Sequence, residues 1–449
     1  MIVIPRGLAR SFRAVVRKCQ TTRPRPPVLV SASGERLQLS CILDGVALSV
    51  DVPHAASEGE HFLLPLSILE EVEGAAVEIT VAEKNGTACW EGRDGPKTLA
   101  FEVLESDAHG EMPALPEQLS PISPAILSAL HECGKAAARE PSRYALQRVQ
   151  VNCKASCVTA TDDKLALIVR GFTLPFRESI LVPALPVFGI KELTGESEVR
   201  IGRTKEHLAI VAGSWTILLT IDAAGRFPDV AGVIPKSPDS SVIGIDERDA
   251  AELLAALPEW PDSSDGVGAV TLEVEKGIAC RARNDETGEV REFRLSRSTC
   301  AGPDFRVALE RRHLARALSL GCLSFRLAPD KPLVAENGDR TLIAVTLGDS
   351  HIVSGSRPEL EIPALETNRR LLPMKPEPNG IEPPLRWNGT GDGIDPLVEA
   401  EAMRAALAQA VTHASRLVQA IHRLGRQRKV LENAWSSLKS LSLGAGGES

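Results

Sequence analysis

The chain has 449 residues, a formal net charge of −8 and a sequence pI of about 5.7, which excludes a uniformly basic nucleic-acid-binding protein. Hydrophobic residues make up 43% of the sequence and charged residues 24%, as in soluble globular proteins. No run approaches the ~18 apolar residues that a membrane span needs. We therefore predict a cytoplasmic protein that does not associate with membranes.

The residue types that carry chemistry are scattered. Nine cysteines, an odd number, occur at irregular spacing, which favours buried free thiols over a disulfide framework or a zinc site. The sequence has no phosphate-binding glycine loop, no zinc-protease helix and no nucleophile elbow. Asp162 and Asp163 are adjacent carboxylates, but a turn explains them better than a metal-assisted nuclease site. We predict no enzyme activity, no metal and no cofactor.

Three landmarks of the first part of the chain recur 118 residues further on. They are an apolar helical pattern, an aspartate in a strand turn and a proline between a strand and a helix, in the pairs Leu8/Ile126, Phe12/Leu130, Val15/Cys133, Asp44/Asp162 and Pro65/Pro183. A looser third copy has Leu253 and Leu257 at the helix positions and Leu309 at the proline position. This register predicts a triplicated domain, with domains at residues 1–117, 118–238 and 239–353.

Each copy is predicted to contain the same elements in the same order. A short strand, such as residues 2–4, leads into an amphipathic helix, and alternating strands follow, such as 36–40 and 46–51. A further strand then leads into a second helix, and the last strands are separated by Asn-Gly and glycine turns. The pattern predicts an α+β domain with two helices packed on an antiparallel sheet of roughly eight strands.

The composition changes after residue 353. Eight prolines lie between Pro358 and Pro396, which predicts an extended linker over residues 354–395. An apolar heptad stripe then predicts an amphipathic or coiled-coil helix over residues 396–441, with Leu417, Ile421, Leu424, Leu431, Trp435 and Leu438 on one face. Such a helix needs a partner helix or groove.

Five pieces of the sequence, in this order and spacing, resemble motifs of the bacterial β sliding clamp, the processivity subunit of DNA polymerase III. They are TTRPRPPVL (21–29), SRYAL (142–146), ATDDKLA (160–166), GRFPD with VIP (225–229 and 233–235), and EFRLS with KPLV (292–296 and 331–334). The resemblance covers residues 1 to about 353. It implies the DNA-clamp fold, with three tandem domains forming half of a ring that a homodimer closes.

The resemblance also implies a nucleoid-associated ring around double-stranded DNA, held by phosphate attraction without base recognition. Positive side chains at helical spacing or in matched motifs are the candidates for this contact: Arg6, Arg10, Arg13, Arg17, Lys18, Arg23, Lys135, Arg139, Arg311, Arg312 and Arg316. The first helix of the third copy departs from the family pattern, because it carries Asp246, Glu247, Asp249 and Glu252. We expect these acids to weaken the field inside the ring.

Clamp partners insert a short peptide, roughly Gln-Leu-Ser-Leu-Phe, into an apolar cleft between the second and third domains. Carrying that pocket over residue by residue selects Leu146, Thr161, Lys164, Leu165, Pro228, Val233, Pro332, Ile343, Ala344 and Val345. Such a cleft suits a small hydrophobic anchor, although a plain sheet core is the alternative for several of these residues. Asp163 stands where the family has a Gly-His pair, so we expect altered partner specificity.

Two functions remain open from the sequence. One is a processivity factor that encircles DNA and tethers a DNA polymerase, a clamp loader or other proteins with clamp-binding peptides. The other is a clamp-fold scaffold that does not slide and assembles a complex through the helix at 396–441. Residues 440–444, SLSLG, also resemble a docking peptide, which suggests that the tail competes for the pocket. Deleting residues 437–449 and measuring the affinity for a clamp-binding peptide tests this hypothesis.

Overall fold

The computed structural model describes residues 1–19, 26–70, 75–82, 85–103, 110–140, 142–235, 240–261, 266–275, 277–285, 287–328 and 330–353, without the side chains of 56–58. Arg23, the predicted linker at 354–395, the predicted helix at 396–441 and the SLSLG segment lie outside the described residues.

The described part of the chain contains six α-helices and 24 strands. The helices are α1 Arg6–Cys19, α2 Leu66–Glu70, α3 Ala125–Gly134, α4 Lys191–Thr194, α5 Glu247–Ala256 and α6 Arg311–Ser319. The strands are β1 Ile2–Pro5, β2 Pro27–Leu43, β3 Val46–Pro65, β4 Ala76–Ala82, β5 Asn85–Gly92, β6 Gly95–Glu102, β7 Ser120–Ile122, β8 Arg148–Asn152, β9 Cys157–Thr161, β10 Leu165–Arg170, β11 Ile180–Pro183, β12 Val199–Arg203, β13 His207–Ala212, β14 Trp215–Thr220, β15 Ser241–Gly244, β16 Ala269–Val274, β17 Ile278–Arg283, β18 Val290–Arg294, β19 Thr299–Ala301, β20 Phe305–Glu310, β21 Ser324–Leu327, β22 Leu333–Asn337, β23 Arg340–Ala344 and β24 Thr346–Leu347.

The helices recur in the predicted pattern. The short strands β1, β7 and β15 lead into α1, α3 and α5, and the strands β3, β11 and β20 come before α2, α4 and α6. Pro65 and Pro183 end their strands ahead of these second helices, since proline has no N–H to donate to a strand ladder. The predicted α+β class, with helices packed on antiparallel sheets, is confirmed.

The strands form four antiparallel sheets, and two of these join parts of the chain that are far apart in sequence. The strand orders are β1-β4-β5-β6, β2-β3-β14-β13-β12-β7, β11-β8-β9-β10-β23-β22-β21-β15-β19 and β18-β17-β16-β20-β24. In the six-stranded sheet Trp215 of β14 lies opposite Val50 of β3, and in the nine-stranded sheet Leu165 of β10 lies opposite Ala344 of β23. Continuous hydrogen bonding therefore connects the repeats.

The core is built where the apolar stripe of a helix meets a sheet. In α1, Ala9, Phe12, Val15, Val16 and Cys19 are buried, at the spacing that places them on one helix face. The ring of Phe12 stacks against that of Trp215 in β14, with 6.3 Å between centroids. The arginines of α1 lie on the opposite face of the helix, away from this core.

One expectation about strand length was wrong. The separate strands predicted at 36–40 and 46–51 belong to the long hairpin of β2 and β3, which runs from Pro27 to Pro65. The pairing shifts register on either side of Gly34, which adopts a positive φ of 59°. Such bulges let a long, strongly twisted hairpin stay paired, and they break the alternation that sequence patterns rely on.

Candidate functional site

A cavity of about 350 Å³ lies between the β9–β10 turn, the segment at 228–233 and the ends of β22 and β23. Nine of the ten residues predicted for a docking pocket line it: Leu146, Thr161, Lys164, Leu165, Pro228, Val233, Pro332, Ile343 and Val345. The tenth, Ala344, is fully buried, because side chains alternate along β23 and Ala344 packs into the main core, whereas Ile343 lines the cavity.

The β9–β10 turn that forms one wall is fixed by its own polar groups. The Asp162 carboxylate accepts hydrogen bonds from the backbone N–H groups of Lys164 and Leu165, at 3.0 and 2.7 Å. The Thr161 hydroxyl donates to the carbonyl of Leu165 and accepts from the N–H of Asp163, at 2.8 and 3.1 Å. The adjacent aspartates therefore build a turn, as the sequence indicates. The Lys164 carbonyl accepts from Val345 N–H at 2.9 Å, which joins this turn to the opposite wall.

Large apolar side chains around this cavity are unusually exposed. Tyr144 is 46% exposed, Val233 56% and Val345 50%, and all three line the cavity. Apolar side chains gathered at a concave surface mark a site that a ligand or partner covers. Tyr144 was missed as a lining residue, although it lies within the SRYAL motif.

An ion-pair network adjoins the β9–β10 turn that forms one wall of the cavity. The Lys164 ammonium is 3.4 Å from a carboxylate oxygen of Glu310, whose side chain is 7% exposed. Burial alone would raise the pKa of Glu310, but a hydrogen bond from Arg312 and the positive charges of Arg312 and Lys164 hold it below its ordinary value. Burial lowers the pKa of His313. Glu310 is thus the anionic centre that ties the turn to the start of α6.

A second candidate surface is the basic face of α1. Arg10, Arg13 and Arg17 line a cleft of about 590 Å³ together with Lys191 of α4. Arg6, Arg10, Arg17 and Lys18 are exposed, whereas the Arg13 guanidinium donates to the carbonyl oxygens of Leu69 and Glu70 at the end of α2, at 3.2 and 2.7 Å. Lys191 was missed by the sequence prediction, because α4 has only four residues and no helical periodicity.

The other predicted cations differ in their surroundings. Lys135 and Arg139, which follow α3, are exposed. In α6 the Arg311 guanidinium donates to the Trp260 carbonyl at 2.5 Å and that of Arg316 donates to the Glu132 carbonyl at 2.9 Å. Burial lowers the pKa of Arg316. Arg312 pairs with Glu310. The α6 cations are therefore partly engaged within the protein.

The four acids at the start of the third copy, Asp246, Glu247, Asp249 and Glu252, do not all present their charge to solvent. Asp246 is the N-cap residue and accepts from the N–H groups of Arg248 and Asp249. Asp249 is 1% exposed and accepts hydrogen bonds from Arg297 and Ser298. A buried, paired carboxylate projects little field into solvent, so α5 is less acidic outwardly than its sequence indicates.

No protein-family model and no curated protein sequence matches the chain. Solved structures do. The DNA polymerase III subunit beta from Pseudomonas aeruginosa matches with a TM-score of 0.65 at 19% identity, over 77% of this chain and 99% of that one. The chain has the fold of the bacterial β sliding clamp. The DNA polymerase sliding clamp from Bacillus subtilis, with a TM-score of 0.64 and 15% identity, also covers 77% of this chain and 98% of its own length.

A third neighbour with this fold is the DNA polymerase III subunit beta from Borrelia burgdorferi, solved in complex with a natural product, with a TM-score of 0.65 and 13% identity. It likewise covers 77% of this chain and 98% of its own length. Among the described residues of the clamp-fold chain, no helix is both long and apolar enough to span a bilayer. In the same part of the chain, no cluster of three or more His, Cys, Asp or Glu side chains is arranged to hold a metal ion.

Proposed function

We propose that this chain is a sliding-clamp-like processivity factor in DNA replication, without catalytic activity of its own. Two copies form a ring around double-stranded DNA, each contributing three domains at 1–117, 118–238 and 239–353. The single observation that carries the proposal is the clamp fold over 77% of the chain and 99% of its Pseudomonas neighbour. The protein then acts in the cytoplasm, on the nucleoid.

Attraction to DNA in this proposal comes mainly from α1. Its exposed arginines and Lys191 supply positive charge. Positive charge of this kind suits contact with phosphates, which does not depend on the base sequence. Lys135 and Arg139 add to it, and Arg23 lies outside the described residues. The acidic net charge of −8 then belongs to surfaces that face away from the duplex.

Topological linkage is the property that tests the ring. The protein is loaded on nicked circular plasmid and its retention is measured before and after linearisation, because a ring slides off cut ends. Loss on linearisation supports the proposal, and equal retention on both forms refutes encirclement. In a companion measurement on short duplex DNA, the double variant Arg10→Gln, Arg17→Gln is expected to reduce the slope of log affinity against log salt by about 2.

Partner proteins dock, we propose, at the cavity beside Lys164, and these include a DNA polymerase, a clamp loader or other proteins with short clamp-binding peptides. Two valines give a matched test, because Val345 is 50% exposed in the cavity and Val242 is 41% exposed outside it. Val345→Glu is expected to weaken binding of a Gln-Leu-Ser-Leu-Phe peptide at least tenfold, since it puts a charge on an apolar contact. Val242→Glu is expected to leave binding unchanged, and equal effects of both would contradict docking here.

One observation favours the alternative, a clamp-fold scaffold that does not slide and that binds a partner through the segment at 396–441, which the sequence predicts to be a helix. Arg311 and Arg316 direct guanidinium N–H groups to protein carbonyls, so these donors of α6 are occupied within the protein and are not offered to DNA phosphates. The plasmid experiment separates the two functions, because a scaffold keeps peptide binding at the cavity and shows no change on linearisation.

A further inference from the structure

The rim of the docking cavity carries carboxylates from three separate segments of the chain. Asp163 belongs to the β9–β10 turn, Asp229 to the segment before Val233 and Asp330 to the turn before β22, and all three line the cavity. Each of them is exposed. Their charges therefore surround the apolar floor and act on whatever enters it.

The cations of the same rim do not balance these carboxylates. Lys164 and Lys331 line the cavity, but the Lys164 ammonium lies 3.4 Å from Glu310. Glu310 also pairs with Arg312, and Asp162 lies in the same turn as Asp163. Among the residues that line the cavity, three exposed carboxylates stand against two lysines, and Lys164 is already paired with Glu310, so the cavity mouth is negative.

Positive charge nearby lies in a different cleft. Arg143 and Arg226 line a separate depression, which Arg148 and Asp222 also line as an ion pair at 3.2 Å. Tyr144 lines both the depression and the cavity. The two arginines are therefore not among the residues that line the cavity itself.

Resting on the proposed docking function, we infer that the cavity selects a peptide whose apolar anchor is flanked by lysine or arginine. The anchor covers the exposed apolar side chains of Tyr144, Val233 and Val345, and the flanking cation lies among Asp163, Asp229 and Asp330. Charge complementarity of this kind governs the choice between partners more than the affinity for any one of them. An acidic flank is repelled by the same carboxylates.

The main test uses the full-length chain and three synthetic peptides that share the core Gln-Leu-Ser-Leu-Phe. Their flanks are Lys-Lys, Gln-Gln or Glu-Glu, and fluorescence anisotropy gives each dissociation constant. We expect the lysine peptide to bind about tenfold more tightly than the glutamate peptide at about 50 mM salt, since each exposed pair contributes modestly. Screening should reduce the ratio to about twofold at about 0.5 M salt.

Two variants locate the preference. Asp163 and Asp330 have positive φ values of 82° and 54°, a conformation that asparagine tolerates, so Asp163→Asn with Asp330→Asn removes two charges without new backbone strain. This double variant is expected to reduce the lysine-to-glutamate ratio to about threefold or less. The control, Glu91→Gln with Asp94→Asn, removes two exposed charges near the β5–β6 turn and should keep the wild-type ratio.

The outcomes separate this inference from the docking function on which it rests. Equal affinities for the three peptides, or tighter binding of the glutamate peptide, overturn the charge preference and leave docking intact. Failure of all three peptides to bind overturns both. A preference that persists at high salt also overturns the inference, and this result needs no variant to fold.

Discussion

Replacing Asp249 is expected to destabilise the packing of α5, because this buried carboxylate holds a neighbouring loop through four hydrogen bonds. One oxygen accepts from the backbone N–H groups of Arg297 and Ser298, at 2.9 and 3.0 Å, and from the Ser298 hydroxyl at 2.8 Å. The other accepts from the Arg297 guanidinium at 2.7 Å. Asp249→Ala therefore leaves two backbone donors and a hydroxyl without their acceptor.

The magnitude follows from which donors can reach water. The N–H groups of Arg297 and Ser298 and the Ser298 hydroxyl are partly buried, so each costs about 1 kcal/mol when unpaired, at the low end of the range for buried donors. The Arg297 side chain is 43% exposed and its share is below about 1 kcal/mol. Asp249→Ala should thus cost about 2–4 kcal/mol. Asp249→Asn keeps one oxygen for the three donors of Arg297 N, Ser298 N and Ser298 Oγ, and should cost about 1–2 kcal/mol.

Urea unfolding and amide hydrogen exchange at residues 297 and 298 measure the effect, and exchange there should speed up most in the alanine variant. The matched control is Glu252→Gln, because Glu252 is 54% exposed and 3.4 Å from Arg297, so its loss should cost about 0.5 kcal/mol or less. Equal stability of the alanine and asparagine variants would refute this account of the network.

Acidification should destabilise the protein: burial would raise the pKa values of Asp249, Glu292 and Glu310, but hydrogen-bond donors hold them below normal. Their contribution is complete above the unfolded pKa of about 4 and is lost as pH falls through the folded pKa. The urea concentration at the unfolding midpoint should therefore decrease when the pH is lowered below about 4. An unchanged midpoint there would contradict this prediction. Burial raises the pKa of Cys19 and Cys280 to about 12. In the native protein both thiols should therefore resist alkylation by iodoacetamide, while the partly exposed Cys89 reacts. Early labelling of Cys19, detected by mass spectrometry, would contradict this expectation. Gly302→Ala should cost about 2–4 kcal/mol and Gly288→Ala about 1 kcal/mol. Both glycines have a positive φ, but only at position 302 would the added Cβ meet backbone, the Cα of Ser241 at 2.7 Å. Similar decreases in the melting temperature of the two variants would exclude crowding as the cause.

Local patterns predicted α1 and the strand ends at Pro65 and Pro183, because burial periodicity and proline act over a few residues. The stripe of α1 and the prolines at 65 and 183 lie where the sequence places them. The sharing of sheets between repeats could not be predicted. It depends on pairings such as Ile168 with Thr341, and a periodicity of two does not specify which distant strand a sheet edge meets.

The candidate site was predicted from motif matches, and its omissions have physical causes. Asp229 and Asp330 lie outside helices and strands, where no periodicity reveals the direction of a side chain. Successive side chains of a strand point to opposite faces of the sheet. Ile343 and Val345 therefore line the cavity, while Ala344 between them is buried and does not reach it. Helical spacing predicted that Arg316 contacts DNA. In the structure its long side chain instead directs the guanidinium to the Glu132 carbonyl.

The two proposed ligands carry opposite charge, and this should keep them apart on the protein. Duplex DNA is drawn to the cations of α1, while the carboxylates around the docking cavity repel phosphate and attract a cationic peptide. A short DNA duplex should therefore not displace a bound lysine-flanked peptide at about 50 mM salt, even when the duplex saturates its own site. The Asp163→Asn, Asp330→Asn variant should allow some competition, since it loses part of that repulsion. Displacement of the peptide from wild-type protein by DNA would mean that both ligands share one surface, and the assignment of opposite charge to separate sites would fail.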